Sequence, residues 1–124
     1  MRDYDPNNVL AMYLSEVSAV KTLARDEERE LLRELAKPGE WDKKRENAAR
    51  KLIESHLSQV VRIAREHSAT GVHILELIEE GNRGLIHAVR SFAEKQTGDF
   101  SEYAALCIDG AIRELCHSKQ TDSN

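Results

Sequence analysis

The sequence contains few of the residues that break or cross-link a chain. Its 124 residues include two prolines, six glycines and two cysteines. So few turn-forming residues argue against an all-β fold. Cys107 and Cys116 fall on roughly opposite sides of one predicted helix, so we do not expect them to pair with each other. With no run apolar enough to span a bilayer and no signal peptide, we expect a cytoplasmic protein that has no membrane partner.

The common signatures of catalysis are also missing. The sequence has no glycine-rich phosphate loop, no helix with paired metal-binding histidines and no nucleophile elbow. Its five histidines are scattered, and only Cys116 and His117 bring two metal-ligand types close together. We therefore expect no catalytic residue, no metal site and no cofactor. Binding to a macromolecular partner is the favoured activity.

The composition favours a single helical domain. Hydrophobic residues make up 40% of the chain and charged residues 32%, a mixture too apolar for a disordered protein. The formal net charge is −4, so the molecule as a whole is not attracted to nucleic acid. Any contact with DNA would need a locally basic surface.

Hydrophobic periodicity predicts an all-α fold, a compact bundle of about five helices. Asp5 is suited to cap a first helix that begins at Pro6 and runs to about residue 17. A second helix begins near three acidic residues at 26–28 and stops before Pro38. From Trp41 to about residue 64, one apolar stripe predicts the longest and most basic helix. A fourth helix covers about 73–94, and a last helix follows with Ser101 as its N-cap.

Two glycines interrupt the predicted fourth helix. Each of Gly81 and Gly84 costs about 1 kcal/mol of helix stability relative to alanine, so something should compensate for them. Close approach of a neighbouring helix is one explanation, and docking of a partner helix is the other. The same segment carries a charged stripe, which is typical of a solvated face. Its members are Glu76, Glu79, Glu80, Arg83 and Arg90.

Four segments together resemble the second conserved region of the sigma-70 family of transcription initiation factors. Residues 75–86 read LELIEEGNRGLI, which is similar to the family's signature helix. Residues 52–61 read LIESHLSQVV, and residues 100–104 and 108–112 read FSEYA and IDGAI in register with the family's last helix. The pattern runs from Leu52 to about Glu114 without a gap. The segments Asp5-Pro6 and Met12-Tyr13-Leu14 resemble the family's preceding short region less closely.

The resemblance implies a docking site for protein on the fourth helix. In the family, this helix binds the clamp-helix coiled coil of core RNA polymerase. Here Glu76 replaces aspartate, Glu79 replaces glutamine and Ile86 replaces methionine, so charge, length and apolarity are mostly kept. Apolar anchors ringed by charge suit helix-on-helix docking. The polymerase-binding residues that the resemblance implies are Leu75, Glu76, Ile78, Glu79, Asn82 and Ile86.

The resemblance also implies contacts to flipped bases of the minus-ten promoter element, and here the chain departs from the family. Leu106 and Cys107 stand in place of tandem tryptophans, and acidic residues outnumber cations between residues 92 and 110. Lost stacking and added negative charge both predict weakened promoter recognition. Likewise, His56, Ser58 and Gln59 replace family residues near the downstream base pocket. The candidate DNA-binding residues are Phe92, Lys95, Phe100, Tyr103 and Arg113.

The leading hypothesis is thus a sigma-like protein that docks on core RNA polymerase and recognises promoters weakly. One alternative is a competent promoter-binding module, and another is a decoy that binds an anti-sigma protein. We expect an N-terminal region at 1–39, a region 2-like core at 40–117 and a frayed tail at 118–124. In the promoter-binding alternative, phosphate contacts come from Lys43, Lys44, Arg45, Arg50, Lys51, Arg62 and Arg65.

Overall fold

The computed structural model describes residues 6–20, 23–95 and 98–122, with side chains from 9–20, 23–92 and 98–120. Every regular element in these ranges is helical, so the predicted all-α bundle is confirmed. The predicted cap Asp5 lies outside the described residues. A single 3₁₀ turn at Ser68–Thr70 separates the first four helices from the last two. The helices are α1 Pro6–Ala19, α2 Arg25–Ala36, α3 Lys43–Ser55, α4 Leu57–Glu66, α5 Ile74–Lys95 and α6 Phe100–Asp122.

The core forms where α5 and α6 pack against each other and against α3 and α4. Close approach explains the two glycines of α5. A Cβ atom on Gly84 would lie 2.5 Å from the carbonyl oxygen of Cys107, and one on Gly81 would lie 2.8 Å from Val60 Cγ1. The glycines therefore let α6 and α4 lie directly on the backbone of α5.

The prediction of one long helix from Trp41 to residue 64 is wrong, because the chain bends at His56. The backbone of His56 has φ −112° and ψ 8°, so α3 ends there and α4 begins after it. Its ring Nε2 lies 2.8 Å from a carboxylate oxygen of Glu28, and its Nδ1 lies 2.9 Å from Oε1 of Gln59. These contacts to α2 and α4 fix the bend. Apolar positions continue in phase across it, so periodicity does not reveal the break.

The last helix begins and ends differently from the prediction. Its N-cap is Asp99 and not Ser101, since Asp99 Oδ1 accepts a 2.9 Å hydrogen bond from the backbone N–H of Ser101. Gly98 supplies the positive φ of 82° that turns the chain before this cap. At the other end, α6 continues to Asp122, so the segment 118–122 that we expected to fray is helical.

The single tryptophan joins α3 to α5 at the surface. Trp41 contacts the guanidinium groups of Arg45 and Arg90, whose Cζ atoms are 5.6 and 5.1 Å from the ring centre. Glu46 accepts hydrogen bonds from the indole N–H and from Arg90. Cation–π contacts from these two arginines stabilise this junction.

Among the helices that the structure describes, none combines the length and the hydropathy that a bilayer-spanning segment needs.

An ion-pair cluster ties the end of α4 to α6. Asp109 accepts a 2.7 Å hydrogen bond from His67 and a 2.5 Å bond from Arg113. Partial burial acts to raise the pKa of Asp109, but the bonds from His67 and Arg113 outweigh it and hold this pKa below its usual range. The ionised carboxylate therefore stabilises the folded state.

Substitution of Gly84 and Gly110 by alanine should have opposite effects on stability. Gly84→Ala should lower the free energy of unfolding by about 2 kcal/mol, because backbone atoms of α6 occupy the space of the new methyl group. Gly110 lies in α6 with open space around it, so Gly110→Ala should raise that free energy by about 0.5–1 kcal/mol. Urea unfolding measures both. Equal stabilisation by the two variants would contradict the close approach.

The Asp109 cluster should make stability depend on acid pH. Because the pKa of Asp109 is lowered by folding, its contribution is present above the unfolded pKa and is lost as the pH falls through the folded value. Asp109→Asn should therefore be less stable than the parent chain at pH 6, and this difference should shrink below about pH 4. Urea unfolding at each pH measures it, and a difference independent of pH would argue against the assignment.

Candidate protein-docking face

The side of α5 that points away from the core carries a row of polar and apolar side chains. Leu75, Glu79, Asn82 and Ile86 are spaced by four, three and four residues, so they lie along one line of the helix. The opposite face of α5 is buried against α4 and α6. We call the outward row, with Glu76 and Arg83 beside it, the α5 ridge.

Four members of the α5 ridge are exposed, namely Glu76, Glu79, Arg83 and Ile86. The side chain of Glu79 is 73% accessible, and Ile86 is 39% accessible although it is an aliphatic residue. Leu75 is half-buried. The inclusion of Ile78 among the docking residues is wrong, because its side chain is 3% accessible and belongs to the core. Ile78 lies next to Glu79 in sequence but about 100° away around the helix, which turns it inward.

Ion pairs along the α5 ridge are loose and solvent-exposed. Arg83 lies 3.7 Å from a carboxylate oxygen of Glu79 and 4.0 Å from one of Glu80. Glu76 pairs with Lys119 of α6 at 3.5 Å. Exposed pairs of this kind contribute little to stability, about 0–1 kcal/mol each. Their carboxylates can therefore exchange partners at low cost when another charged surface approaches.

Asn82 differs from the rest of the α5 ridge because α1 covers part of it. The amide Nδ2 of Asn82 donates a 3.3 Å hydrogen bond to the hydroxyl oxygen of Tyr13 in α1. Its Oδ1 is buried and has no hydrogen-bond partner in the described part of the chain. The structure thus brings Asn82 to the ridge predicted from the sequence, but in contact with another helix.

Two of the aromatic residues assigned to DNA belong to the core, so that assignment is corrected. Phe100 is 2% accessible and Phe92 is 9% accessible. Their rings meet edge to face with centroids 5.2 Å apart, and His56 packs against Phe100 at 5.1 Å. A buried ring cannot stack on an extruded base without unpacking this cluster.

Of the other three candidate DNA contacts, Tyr103 and Arg113 are both engaged by neighbouring side chains. Tyr103 is half-buried, and its hydroxyl lies 2.7 Å from the hydroxyl of Ser91. Arg113 is exposed but bonded to Asp109, which raises the pKa of the guanidinium. The side chain of Lys95 lies outside the described residues.

The basic residues that the sequence placed on one long helix are divided by the bend at His56. Arg45 is buried at 8% accessibility and donates hydrogen bonds to the carbonyl oxygens of Lys37 and Gly39, which follow α2. Its role is to hold the connection between α2 and α3, so we remove it from the candidate phosphate contacts. Lys44 and Arg50 pair with acidic residues at 3.6 and 3.9 Å.

A groove between α4 and α6 is a second exposed surface, which sequence analysis did not identify. Leu106 is 73% accessible at the edge of a groove of about 640 Å³. Three acidic residues, Glu66, Glu102 and Asp109, line the groove together with Arg62. The hydrophobic periodicity of α6 predicts a helix in this segment, but it does not indicate that Leu106 is exposed.

The three residues near the family's downstream base pocket do come together. His56, Ser58 and Gln59 line an open polar cavity of about 430 Å³, into which Glu28 also points. Gln59 is largely buried and donates a 3.1 Å hydrogen bond to the carbonyl oxygen of Ser101. Within the described ranges, no group of three or more His, Cys, Asp or Glu side chains has the arrangement of a metal site.

Comparison with known proteins supports the resemblance drawn from the sequence motifs. The family model described as Sigma-70 region 2 matches residues 52–121. The chain is 39% identical over 106 residues to "RNA polymerase sigma factor SigA" of Bacillus sp, which covers 86% of this chain and 26% of that protein. It is also 39% identical over 101 residues to SigA of Lactococcus lactis subsp. cremoris, which covers 82% of this chain and 27% of that protein.

The chain spans about a quarter of the length of these curated relatives. The family match begins at Leu52, in the last turn of α3, and continues through α4, α5 and most of α6. It therefore includes the whole α5 ridge and the groove beside Leu106. On these grounds the chain belongs to the sigma-70 family and contains its region 2.

Proposed function

We propose that this chain is a sigma-like transcription initiation or regulatory protein that docks on core RNA polymerase through the α5 ridge. The observation that carries the proposal is the exposure of Ile86 between charged neighbours on a helix whose other face is fully packed. An exposed aliphatic anchor within a charged rim is the arrangement that helix-on-helix docking uses. The partner surface in this proposal is the clamp-helix coiled coil of the polymerase.

Four residues of the α5 ridge other than Ile86 complete the proposed contact. Leu75 extends the apolar line, and Glu76 and Glu79 offer carboxylates held only by exposed ion pairs. Asn82 contributes an amide between Glu79 and Ile86. In this proposal residues 40–117 form the docking core and residues 1–39 the short region that precedes it. The protein acts by binding, with no catalytic step.

We further propose that recognition of the minus-ten promoter element is weakened. Stacking on extruded bases needs exposed aromatic rings, but Phe92 and Phe100 are core residues and Leu106 is aliphatic. Acidic side chains line the groove around Leu106, and carboxylates repel the phosphate backbone. Both features lower the affinity for a melted strand, and neither touches the α5 ridge.

Replacement of Ile86 should weaken docking without unfolding the protein. Ile86→Ser should reduce the affinity for core RNA polymerase about tenfold, since an apolar anchor at the centre of an interface contributes roughly 1–2 kcal/mol or more. Biolayer interferometry with immobilised core polymerase measures this affinity. Leu106→Ser is the matched control, because it removes an exposed leucine from a different face, and it should bind as the parent chain does. Equal affinities for all three proteins would remove the support for the α5 ridge.

Restoring an aromatic side chain beside the groove should improve binding to single-stranded DNA. Leu106→Trp should tighten the binding of a single-stranded minus-ten oligonucleotide about fivefold or more, because stacking on one base contributes about 1–3 kcal/mol. Fluorescence anisotropy at several salt concentrations measures this. Ile86→Trp places the same side chain on the α5 ridge and should leave the affinity unchanged.

The promoter-binding alternative makes the opposite prediction for the parent chain. Tight, sequence-selective binding of the minus-ten oligonucleotide by the unmodified protein would contradict weakened recognition. It would mean that the aromatic cluster of Phe92 and Phe100 opens on contact with DNA. Binding that is weak and insensitive to the oligonucleotide sequence is the expected result.

A further inference from the structure

Asn82 is the one member of the α5 ridge that another helix covers. Its Nδ2 donates to the hydroxyl oxygen of Tyr13, while its Oδ1 is buried without a hydrogen-bond partner among the described residues. An asparagine amide offers two donor hydrogens and an acceptor oxygen. Buried polar atoms are nearly always bonded, so an unpaired oxygen marks a side chain that would be better satisfied in another arrangement.

The covering helix α1 is held to the bundle by few contacts. Val17 is its only fully buried residue among those whose side chains are described, and Leu10, Tyr13 and Leu14 are half-buried. The bond from Asn82 to Tyr13 joins α1 to α5, whereas the side-chain bond from Ser18 to the carbonyl oxygen of Ser15 stays within α1. A helix with so few buried apolar contacts opens at lower free energy than the core does.

The contact of α1 with α4 borders an open surface cleft. An open, mainly apolar cleft of about 590 Å³ lies between α1 and α4 and is lined by Leu14, Val17 and Val61. Val17 is the only buried one of the α1 side chains that line the cleft, so α1 gains less contact energy than the closely packed pair α5 and α6. Met12, on the outer side of α1, is 64% accessible. Few buried contacts therefore oppose movement of α1 away from the rest of the bundle.

We propose that α1 and the docking partner compete for Asn82, so that α1 limits access to the α5 ridge. This inference rests on the docking function proposed above. A partner that accepts the hydrogen bond from Nδ2 of Asn82 takes the place of Tyr13 and displaces α1, and it satisfies the amide further if it also donates to Oδ1. The apparent affinity for the partner is then reduced by the fraction of molecules in which α1 is in place. By linkage, partner binding loosens α1 to the same extent.

Two valines of α1 provide a matched test in the full chain. Val17→Ser removes the buried anchor of α1, and Val9→Ser makes the same change at an exposed position of that helix. Val17→Ser should tighten the binding of core RNA polymerase about fivefold, and Val9→Ser should leave it unchanged. Tyr13→Phe removes only the hydroxyl group that contacts Asn82, and it should tighten binding about twofold. Biolayer interferometry measures all three affinities.

Hydrogen exchange in the unmodified chain provides a second measurement that needs no substitution. Backbone amides of α1 should exchange faster in the complex with core RNA polymerase than in the free protein, whereas those of α2 should not. Slower exchange in α1 on binding would overturn the proposal, as would unchanged or weaker binding by both Val17→Ser and Tyr13→Phe.

The failure of this proposal can be told apart from failure of the docking function. If Ile86→Ser weakens binding while Val17→Ser and Tyr13→Phe do not tighten it, docking through the α5 ridge stands and the covering role of α1 is overturned. If neither the parent chain nor any variant binds core RNA polymerase, both proposals are overturned together.

Discussion

The backbone contact between α5 and α6 is the constraint on which the rest of the structure depends. At Gly84 the carbonyl of Cys107 occupies the place of a side chain, so the two longest helices touch without intervening groups. One face of α5 is consequently buried in the core from Leu77 to Phe92. The opposite face must then lie outward, and its polar and apolar residues become the α5 ridge. The same contact presents Leu106 on the far side of α6, next to α4.

Most helices could be predicted from the sequence, because helix-terminating residues and hydrophobic periodicity indicated the same boundaries. Pro6, the acids at 26–28, Pro38 and Gly98 mark ends that the structure reproduces within a few residues. The bend at His56 could not be predicted, since Leu52 and Val60 are both buried and stay in phase across it. At the bend, His56 contacts Gln59, three positions away, and Glu28, 28 positions away, and the second contact depends on the fold itself.

The candidate site was predictable as a segment but not residue by residue. The motif at 75–86 lies on one helix, α5, as predicted, yet membership of a motif does not say whether a side chain points outward. Ile78 and Glu79 are neighbours in that motif, and one is buried while the other is exposed. The same limit applies to Phe92 and Phe100, whose rings serve packing. The contact of Asn82 with Tyr13 joins residues 69 positions apart, so no local pattern could have indicated it.

The position of Trp41 gives the molecule an internal reporter. It is the only tryptophan, and its indole ring contacts Arg45 and Arg90 at the junction of α3 and α5. The emission of this one fluorophore is sensitive to loss of either cation and therefore to separation of the two helices. Because these contacts of Trp41 involve α3 and α5, its signal follows the integrity of the bundle and not events at α1 or Leu106.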